Sequence, residues 1–452
     1  MHAARKIIAV VAVGAAALLS ACSSSGSGGA GGAGKSSAAS GGPSLPDLKG
    51  TTFTILGQWT GAEQQAFQAV IDAFDKKTGA TGQYQAAAGG NQAGVLATKV
   101  QGGTPPDIAM LALPGAISQY AKAGNAKPVD PAVSDAVAAN YAKVWTDLAT
   151  VDGKLYGVPF DASNKSTVWY NVKAFQNAGI SSPPQTWQDF LKDGATLSAS
   201  GVPVPISIGG GDGWTLTDWF ENVYIRTAGL DDYDKLTHHE IKWTDPTVVE
   251  ALTVLKQLFG DKTLVGNPDD ALKVSFPQSV DNVFKANPTS AIVYEGSFVA
   301  TTITGDKLPA KVGTDAKFFP FPSVNGSKAA LVGGGDFAVA FTTNKAVQPF
   351  LQFLASPQAV EALLSSPGSG FLSANKNVPA SAYPDATSAE LAKQIVDVGD
   401  NFRFDMSDQA PATFGGTPNQ GEWADLQQFL RTGDVQATAA KLEQDASAAT
   451  GW

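Results

Sequence analysis

The hydrophobic pattern of the first folded segment changes from a strand period to a helix period. Residues 51–57 (TTFTILG) are β-branched and apolar and predict an opening strand. Between Glu63 and Lys77, apolar side chains recur with the spacing of one helix face, at Phe67, Val70, Ile71 and Phe74. Gly79 follows, where a left-handed residue ends many helices. The segment therefore predicts a strand followed by an amphipathic helix.

The alternation of strand and helix patterns continues along the chain. Further strands are predicted at Asp107–Leu113, Pro203–Ile208, Ala291–Phe298 and Leu331–Phe341. Helices are predicted at Asn91–Gln101, after Thr186, at Trp214–Thr227 and at Pro246–Phe259. Strands that alternate with helices predict an α/β fold, and a chain of 452 residues is long enough for two domains.

The stretch Val151–Asn171 predicts two strands joined by a polar segment. Asp152-Gly153 is typical of a turn, and Leu155–Phe160 is a compact apolar run. Asp161–Ser166 is polar, and Thr167–Tyr170 is β-branched and aromatic. In composition alone this is an ordinary pair of strands.

The first 49 residues predict secretion and attachment to a membrane. Residues 1–21 combine Arg5 and Lys6 with a short apolar run, as a signal peptide does. Leu19-Ser20-Ala21-Cys22 resembles the lipobox of bacterial lipoproteins, which implies lipidation of Cys22; the alternative is a plain cleaved signal with a chance Cys. Residues 22–49 are mostly Gly, Ser and Ala and predict a flexible tether. We therefore expect an extracytoplasmic protein, lipid-anchored to the bacterial cell membrane.

Charge and residue inventory argue against nucleic-acid binding and catalysis. The net charge is −10, and Lys and Arg form no basic stripe. Of three histidines, His2 lies in the signal, and the adjacent His238 and His239 point different ways. Cys22 is the single cysteine, and neither Gly-x-Ser-x-Gly nor His-Glu-x-x-His occurs. A glycosidase carboxylate pair is not excluded by 41 acidic residues. We expect that the chain is not an enzyme and that it binds neither a metal ion nor a cofactor.

Several short motifs, in their order and spacing, resemble family 1 of the extracellular solute-binding proteins of ABC importers, of the maltose and α-glucoside type. The resemblance covers residues 51–430. The motifs are Gly153-Lys154 with Tyr156-Gly157 and Pro159, Tyr170-Asn171, GTPPDIAML at 103–111, SPPQTW at 182–187, AIVYEGSF at 291–298, FFPFPSV at 318–324 and LVGGGDFAVAF at 331–341. Phe298 stands where the family usually has Trp.

The resemblance implies an α/β, two-lobe fold like that of periplasmic binding proteins, with three hinge crossings and a ligand in the inter-lobe cleft. The crossings are expected within 151–171, near 318–324 and near 365–371. The implied limits are 50–163 and 321–365 for lobe 1, and 164–320 and 366–452 for lobe 2.

Candidate ligand contacts lie at predicted strand ends and helix starts. Aromatic rings stack on the C–H faces of sugars, and carboxylates, amides and Arg pair with hydroxyls. The candidates are Trp59, Asn91, Gln92, Pro114, Asp161, Asn164, Asp212, Trp214, Glu295, Phe298, Gly334, Asp336, Arg403 and Trp423. Gly333–Gly335 match no nucleotide-binding loop and are interpreted as a close approach of the backbone to a ligand. Trp219 is expected in the core.

The resemblance implies a monomeric receptor that captures a sugar, such as an oligosaccharide of the α-glucoside type, and delivers it to the permease subunits of an ABC importer. Two alternatives stay open. The same fold could bind a glycerophosphodiester or a polyamine, or the chain could be a lipid-anchored glycan-binding module without a transporter.

Overall fold

The computed structural model of the chain describes residues 43–87, 92–366 and 370–452. The predicted signal peptide, Cys22, the tether up to residue 42 and the candidate Asn91 lie outside the described residues. Within the described ranges, no helix has the length and hydrophobicity that crossing a membrane requires.

The strands of the described residues are β1 (Thr52–Gly57), β2 (Thr81–Ala86), β3 (Ile108–Leu111), β4 (Thr150–Val151), β5 (Lys154–Leu155), β6 (Gly157–Pro159), β7 (Ser163–Asn164), β8 (Thr167–Asn171), β9 (Ile206–Ser207), β10 (Ile292–Glu295), β11 (Ala316–Pro320), β12 (Leu331–Gly334), β13 (Phe337–Ala340) and β14 (Phe402–Phe404).

The helices of the described residues are α1 (Gly61–Thr78), α2 (Gln92–Gln101), α3 (Pro114–Lys122), α4 (Pro131–Asn140), α5 (Lys143–Leu148), α6 (Val172–Asn177), α7 (Trp187–Ala199), α8 (Trp214–Thr227), α9 (Leu230–Thr237), α10 (Pro246–Phe259), α11 (Lys262–Val265), α12 (Pro268–Ala271), α13 (Phe276–Phe284), α14 (Val299–Gly305), α15 (Val347–Leu354), α16 (Pro357–Leu364), α17 (Ala386–Asp397), α18 (Met406–Gln409), α19 (Ala412–Gly415), α20 (Gly421–Thr432) and α21 (Val435–Ala448). Short 3₁₀ turns cover Ala380–Ala382 and Gly399–Asn401.

The first sheet has the strand order β2-β1-β3-β13-β6. Strand β1 pairs in parallel with β2 and β3, whereas β13 pairs antiparallel with β3 and β6. Helix α1 packs beside β2 with its four predicted apolar residues buried. It ends at Gly79, whose φ of 73° lets its N–H donate to the Asp75 carbonyl oxygen. The predicted opening strand and helix are confirmed.

The second sheet has the strand order β11-β8-β10-β9, in which β8 runs antiparallel to both of its neighbours. Its core is aromatic. The Trp219 ring lies 4.3 Å from the Tyr294 ring, 5.7 Å from the Phe321 ring and 6.4 Å from the Trp187 ring, centroid to centroid. The expectation that Trp219 is a core residue is therefore confirmed.

A third sheet, which we call the hinge sheet, has the order β14-β12-β7. Its strands come from three separate passages of the chain. Strand β7 lies between β6 of the first sheet and β8 of the second, and β12 lies between β11 and β13. Strand β14 precedes α20 and α21, which pack on α8 and α10 beside the second sheet. The predicted α/β fold with two lobes and three crossings is confirmed.

The second and third hinge strands lie later in the chain than the motifs suggested. Phe321, in the motif expected at the second crossing, packs in the second-lobe core against Trp187. After residue 366 the chain still bonds to first-lobe elements, since Asn375 Nδ2 donates to the Ala355 carbonyl oxygen over 3.3 Å. The third hinge strand begins at Phe402. The lobe limits 321–365 and 366–452 stay a prediction.

The glycines of Leu331–Phe341 divide the predicted single strand between two sheets. A side-chain carbon at Gly333 would lie 2.4 Å from the Ser163 carbonyl oxygen, and one at Gly335 would lie 2.4 Å from the Asp161 carbonyl oxygen. Here the backbone of the second crossing approaches the backbone of the first. Gly333 and Gly335 thus allow a close approach between two backbones, and their interpretation as an approach to a ligand stays a prediction.

This approach makes Gly333 sensitive to a single added carbon. We expect Gly333→Ala to lower the free energy of unfolding by about 1–3 kcal/mol, because the clash is with backbone rather than with a movable side chain. Urea unfolding, with Gly305→Ala as control, measures it; Gly305 lies in α14 with nothing within 4 Å of its missing Cβ. Equal unfolding free energies in the two variants would contradict the close approach.

Candidate functional site

Two candidate carboxyl groups lie side by side where the first sheet meets the first and second crossings. Asp161 follows β6 and Asp336 precedes β13, and these two strands pair in the sheet. The Asp336 N–H donates to Asp161 Oδ1 over 2.7 Å, and Gln58 Nε2 donates to Asp336 Oδ1 over 3.4 Å. Asp161 and Asp336 are far apart in the sequence but are neighbours in the fold, because the first sheet pairs β6 with β13.

Both carboxyl groups have pKa values above the usual range. Burial raises the pKa of Asp161 to about 6. Burial, followed by the charge of Asp161 and a hydrogen bond with it, raises the pKa of Asp336 well above its usual range. Burial and the nearby Asp161 also raise the pKa of Glu63, in the first turn of α1. The first-lobe edge of the cleft therefore offers both carboxyl donors and carboxylate acceptors.

Trp59, the first-lobe aromatic candidate, lies in a packed cluster. Its exposed fraction is 4%, and its ring lies 5.0 Å from Phe67, 5.2 Å from Phe160 and 5.3 Å from Phe371. The backbone N–H of Trp59 donates to the Tyr84 hydroxyl oxygen over 2.9 Å. The observed contacts of Trp59 are those of a core residue.

Three half-buried aromatic residues of the second lobe, Trp214, Phe276 and Phe298, form a second group, which we call the Trp214 set. Trp214 begins α8, and its ring centroid lies 5.4 Å from Phe276 and 5.9 Å from Phe298, which lie 5.3 Å from each other. Asp212 holds this arrangement, since its Oδ2 accepts from the Phe276 N–H over 2.6 Å. Sequence analysis missed Phe276, although it stands with Pro277 at the start of a helix.

Trp423 supports the loop beneath Trp214. A side-chain carbon at Gly213 would lie 2.9 Å from Trp423 Cβ, so the chain before α8 lies directly on α20. The φ of Gly213 is 80°, which only glycine adopts at low cost. Within the described residues, Trp423 Nε1 has no hydrogen-bond partner.

Lys165 occupies the centre of the hinge. Its Nζ contacts Asp405, lies 3.3 Å from Asp218 Oδ1 and 3.7 Å from Asp408 Oδ2, and lies 5.7 Å from the Trp214 ring centroid. Burial acts to lower the pKa of Lys165, but the three carboxylates outweigh burial and keep this pKa above its usual range. Lys165 was not among the predicted contacts, and Asp405 and Asp408 carry no sequence signal that we recognised.

A cluster of buried carboxyl groups lies behind Lys165. Its members are Asp218, Glu221, Glu295, Asp405 and Glu422. Burial raises the pKa of all of them except Asp405, for which the charge of Lys165 and its hydrogen bonds outweigh burial and lower the pKa. The charge of Asp218 adds to burial in raising the pKa of Glu295. Among the described residues, Asp218 Oδ2 and Glu295 Oε2 have no hydrogen-bond partner.

The oxygens of Asp218, Glu221 and Asp405 lie close enough together to hold a metal ion, all within 4.8 Å of one another. Their partners already satisfy much of this set. Lys165 sits on Asp218 and Asp405, and the Glu221 carboxylate accepts from the Tyr233 hydroxyl over 2.6 Å and from two backbone N–H groups of α18. These contacts make Glu221 an anchor for the segment that follows β14.

Three other candidates bond within the protein. Gln92 Nε2 donates to the Leu56 carbonyl oxygen over 3.5 Å and to that of Met110. Asn164 Nδ2 donates to Gln394 Oε1 over 3.1 Å. Arg403 donates from Nε to Asp234 Oδ1 over 2.6 Å, in α9. As ligand contacts, they stay predictions.

The two sets of candidates meet at the hinge. A side-chain carbon at Gly334 would lie 3.8 Å from Lys165 Cε and 4.0 Å from Asp408 Oδ2, and the charge of Asp408 contributes to the raised pKa of Asp336. Beside buried Pro114, Gly115 lies against the Gln409 carbonyl oxygen. Gly334 and Lys165 therefore connect the surroundings of Asp336 with those of Trp214, and the site residues as a ligand-binding set stay a prediction.

Comparison with known proteins adds independent information. The family model described as "Bacterial extracellular solute-binding protein" matches residues 58–361. The α-glucosides-binding periplasmic protein AglE of Rhizobium meliloti is 30% identical over 383 residues, 82% of each chain. The osmoprotective compounds-binding protein GgtB of Synechocystis is 31% identical over 372 residues, 80% of this chain and 85% of GgtB.

A solved structure shows the same fold. The bacterial solute receptor AcbH, described as having an exclusive preference for β-D-galactopyranose, superposes with a TM-score of 0.72 at 20% identity. The match covers 88% of this chain and 99% of AcbH.

The buried acid cluster predicts an unusual dependence of stability on pH. Both oxygens of fully buried Glu422 lack a hydrogen-bond partner in the described part of the chain, and burial raises its pKa. Its contribution to stability is therefore complete below the pKa of the unfolded chain and is lost as pH rises through the higher folded value. We expect Glu422→Gln to increase the free energy of unfolding at pH 8 by about 1–2 kcal/mol and to change it little at pH 4.5.

Urea unfolding at several pH values measures this difference. Glu361→Gln, on the exposed face of α16, is the matched control and should leave the pH profile unchanged. A Glu422→Gln profile parallel to that of the wild type would contradict a protonated Glu422.

Proposed function

The chain belongs to the bacterial extracellular solute-binding proteins, and we propose that it is the receptor of an ABC importer that captures a neutral sugar in its inter-lobe cleft. The observation that supports the proposal is that carboxyl groups next to the first sheet and aromatic rings of the second lobe both lie near the hinge residues Gly334 and Lys165. Asp161 and Asp336 on one side can bond hydroxyl groups, and the Trp214 set on the other can stack on C–H faces. Sugars present both kinds of surface. The names of AglE, which binds α-glucosides, and AcbH, which prefers a galactopyranose, support this class of ligand.

Hinge closure would couple capture to delivery. Each lobe contributes one side of the cleft, so a ligand that contacts both sides favours the closed arrangement. Closure excludes water and strengthens the hydrogen bonds to the sugar. The closed pair of lobes would then be the form that the permease binds. Secretion through residues 1–21, lipidation at Cys22 and a monomeric state complete the proposal.

Charged solutes fit the cleft less well. A phosphate group needs an available cation, whereas Lys165 already bonds to two buried carboxylates. A polyamine would find carboxylates and aromatic faces, but the Lys165 ammonium beside the Trp214 ring would repel its positive charges. The glycerophosphodiester and polyamine alternatives therefore serve as the comparison arms of the test.

A thermal-shift and calorimetric screen tests the proposal. The protein used in the screen is the compact unit of residues 42–452. The probes are trehalose, sucrose, maltose, raffinose, glycerophosphocholine and spermidine. A ligand at 100 times its dissociation constant stabilises by about 2.7 kcal/mol, or a few degrees. We expect a shift with at least one sugar.

A shift only with glycerophosphocholine or spermidine would overturn the sugar assignment, and the absence of a shift with all six probes would count against the receptor role. Binding of a sugar without uptake by cells that carry the importer would favour a glycan-binding module.

Trp214 should contribute the main stacking surface. We expect Trp214→Ala to weaken binding of the tightest-binding sugar of the screen about tenfold or more, because the variant loses the ring on which the sugar would stack. A tenfold change corresponds to about 1.4 kcal/mol. Calorimetry measures the change. Trp452→Ala is the control, since this exposed terminal ring packs on His239 and Phe414 rather than on a candidate residue. Equal affinities in the two variants would exclude Trp214 as a platform.

A further inference from the structure

Lys165 and Asp408 both lie on the passages that connect the lobes. Lys165 stands between β7 and β8, and its backbone N–H donates to the Val332 carbonyl oxygen of β12 over 2.9 Å. Asp408 lies in α18, directly after β14, where the Asp405 N–H donates to the Gly333 carbonyl oxygen over 2.8 Å. Side chains of the first and third crossings therefore meet across the second.

Asp408 differs from the other two carboxylates around Lys165. Side chains of Asp218 and Asp405 are completely buried, whereas that of Asp408 is 35% exposed. Its Oδ2 lies 3.7 Å from Lys165 Nζ, beyond hydrogen-bond length. Among the described residues Lys165 Nζ donates to Asp218 and Asp405, so the third ammonium hydrogen remains for another acceptor.

Beside this pair, the Asp408 side chain is partly exposed and the Trp214 ring is half-buried. A side-chain carbon at Gly334 would lie 3.1 Å from Ser163 Oγ, 3.8 Å from Lys165 Cε and 4.0 Å from Asp408 Oδ2, so a methyl group there would crowd both members of the pair. The Trp214 ring forms a wall 5.7 Å from the ammonium. A donor, an acceptor and an aromatic face therefore meet at one point of the cleft.

We propose that one hydroxyl group of the sugar bridges Lys165 and Asp408, accepting a hydrogen bond from the ammonium and donating one to the carboxylate. This inference rests on the proposed function and deepens it, since it assigns a specificity-determining subsite to two residues of the hinge passages. A group that only donates or only accepts satisfies half of the pair. A phosphate at this point would meet Asp408 with Asp336 and Asp405 nearby, so the subsite also selects against anions.

The test combines protein variants with altered sugars. Asp408→Asn preserves size and removes the charged acceptor, and Asp147→Asn, which breaks an exposed ion pair with Lys143 within α5, is the matched control. The probes are trehalose, sucrose, maltose and raffinose, followed by the monodeoxy derivatives of whichever of the four binds the wild type most tightly. Calorimetry gives the affinities, and urea unfolding shows that each variant is folded.

We expect Asp408→Asn to weaken binding of the parent sugar 10- to 100-fold and Asp147→Asn to leave it unchanged. One monodeoxy sugar should bind the wild type 10- to 100-fold more weakly than its parent. Its loss of affinity should be smaller when measured on Asp408→Asn, because the contact with Asp408 is then already lost and only the contact with Lys165 remains to be removed. Gly334→Ala, whose methyl group would crowd the pair, should also weaken binding and covers the case in which Asp408→Asn does not fold.

Two outcomes overturn the inference separately. The subsite is excluded if Asp408→Asn and Gly334→Ala both bind the sugar as tightly as the wild type does. It is also excluded if the losses are additive for every deoxy sugar. Either result leaves the receptor function intact. Silence of the wild type towards all four sugars removes the sugar assignment together with the subsite.

Discussion

The ion pair between Lys165 and Asp405 is the interaction on which the cleft depends. It joins the first crossing to the third at a point where both side chains are withdrawn from water, and the backbone of the second crossing lies between them. Breaking a buried ion pair by removing one partner typically costs about 3–5 kcal/mol, because the other charge stays buried. Asp405 in turn accepts from Ser407 and the Asp408 N–H, so the same pair orients the carboxylate that we assign to the ligand.

Local sequence signals predicted what depends on neighbours in the chain. The Asp152-Gly153 turn has φ values of 49° and 75°, as the residue pair indicates, and joins β4 to β5. The apolar period of α1 identified its buried face. The two-lobe fold with three crossings was implied by the resemblance of several weak motifs, in their order and spacing, to a known family.

Contacts between distant segments were not predictable in the same way. Hydrophobic alternation cannot show that Leu331–Phe341 serves two sheets, since the two halves follow one pattern and only their partners differ. Trp59 and Arg403 have the side chains of ligand contacts, but aromatic neighbours enclose the first and Asp234 pairs with the second. Asp408 was missed because its importance comes from Lys165, more than 200 residues earlier in the chain. Proximity of this kind is a property of the folded chain.

The position of β13 in the first sheet sets the order in which the lobes can form. Strand β6 pairs with β13 alone, and β13 also borders β3, with Ile108 opposite Ala340. During synthesis, the first lobe therefore lacks an internal strand until β8 to β11 of the second sheet have been made. Contacts between residues so far apart form slowly, since a long loop must close before they stabilise anything. A nascent chain of this topology stays incompletely folded for most of its synthesis, which is the state that a secretion channel accepts.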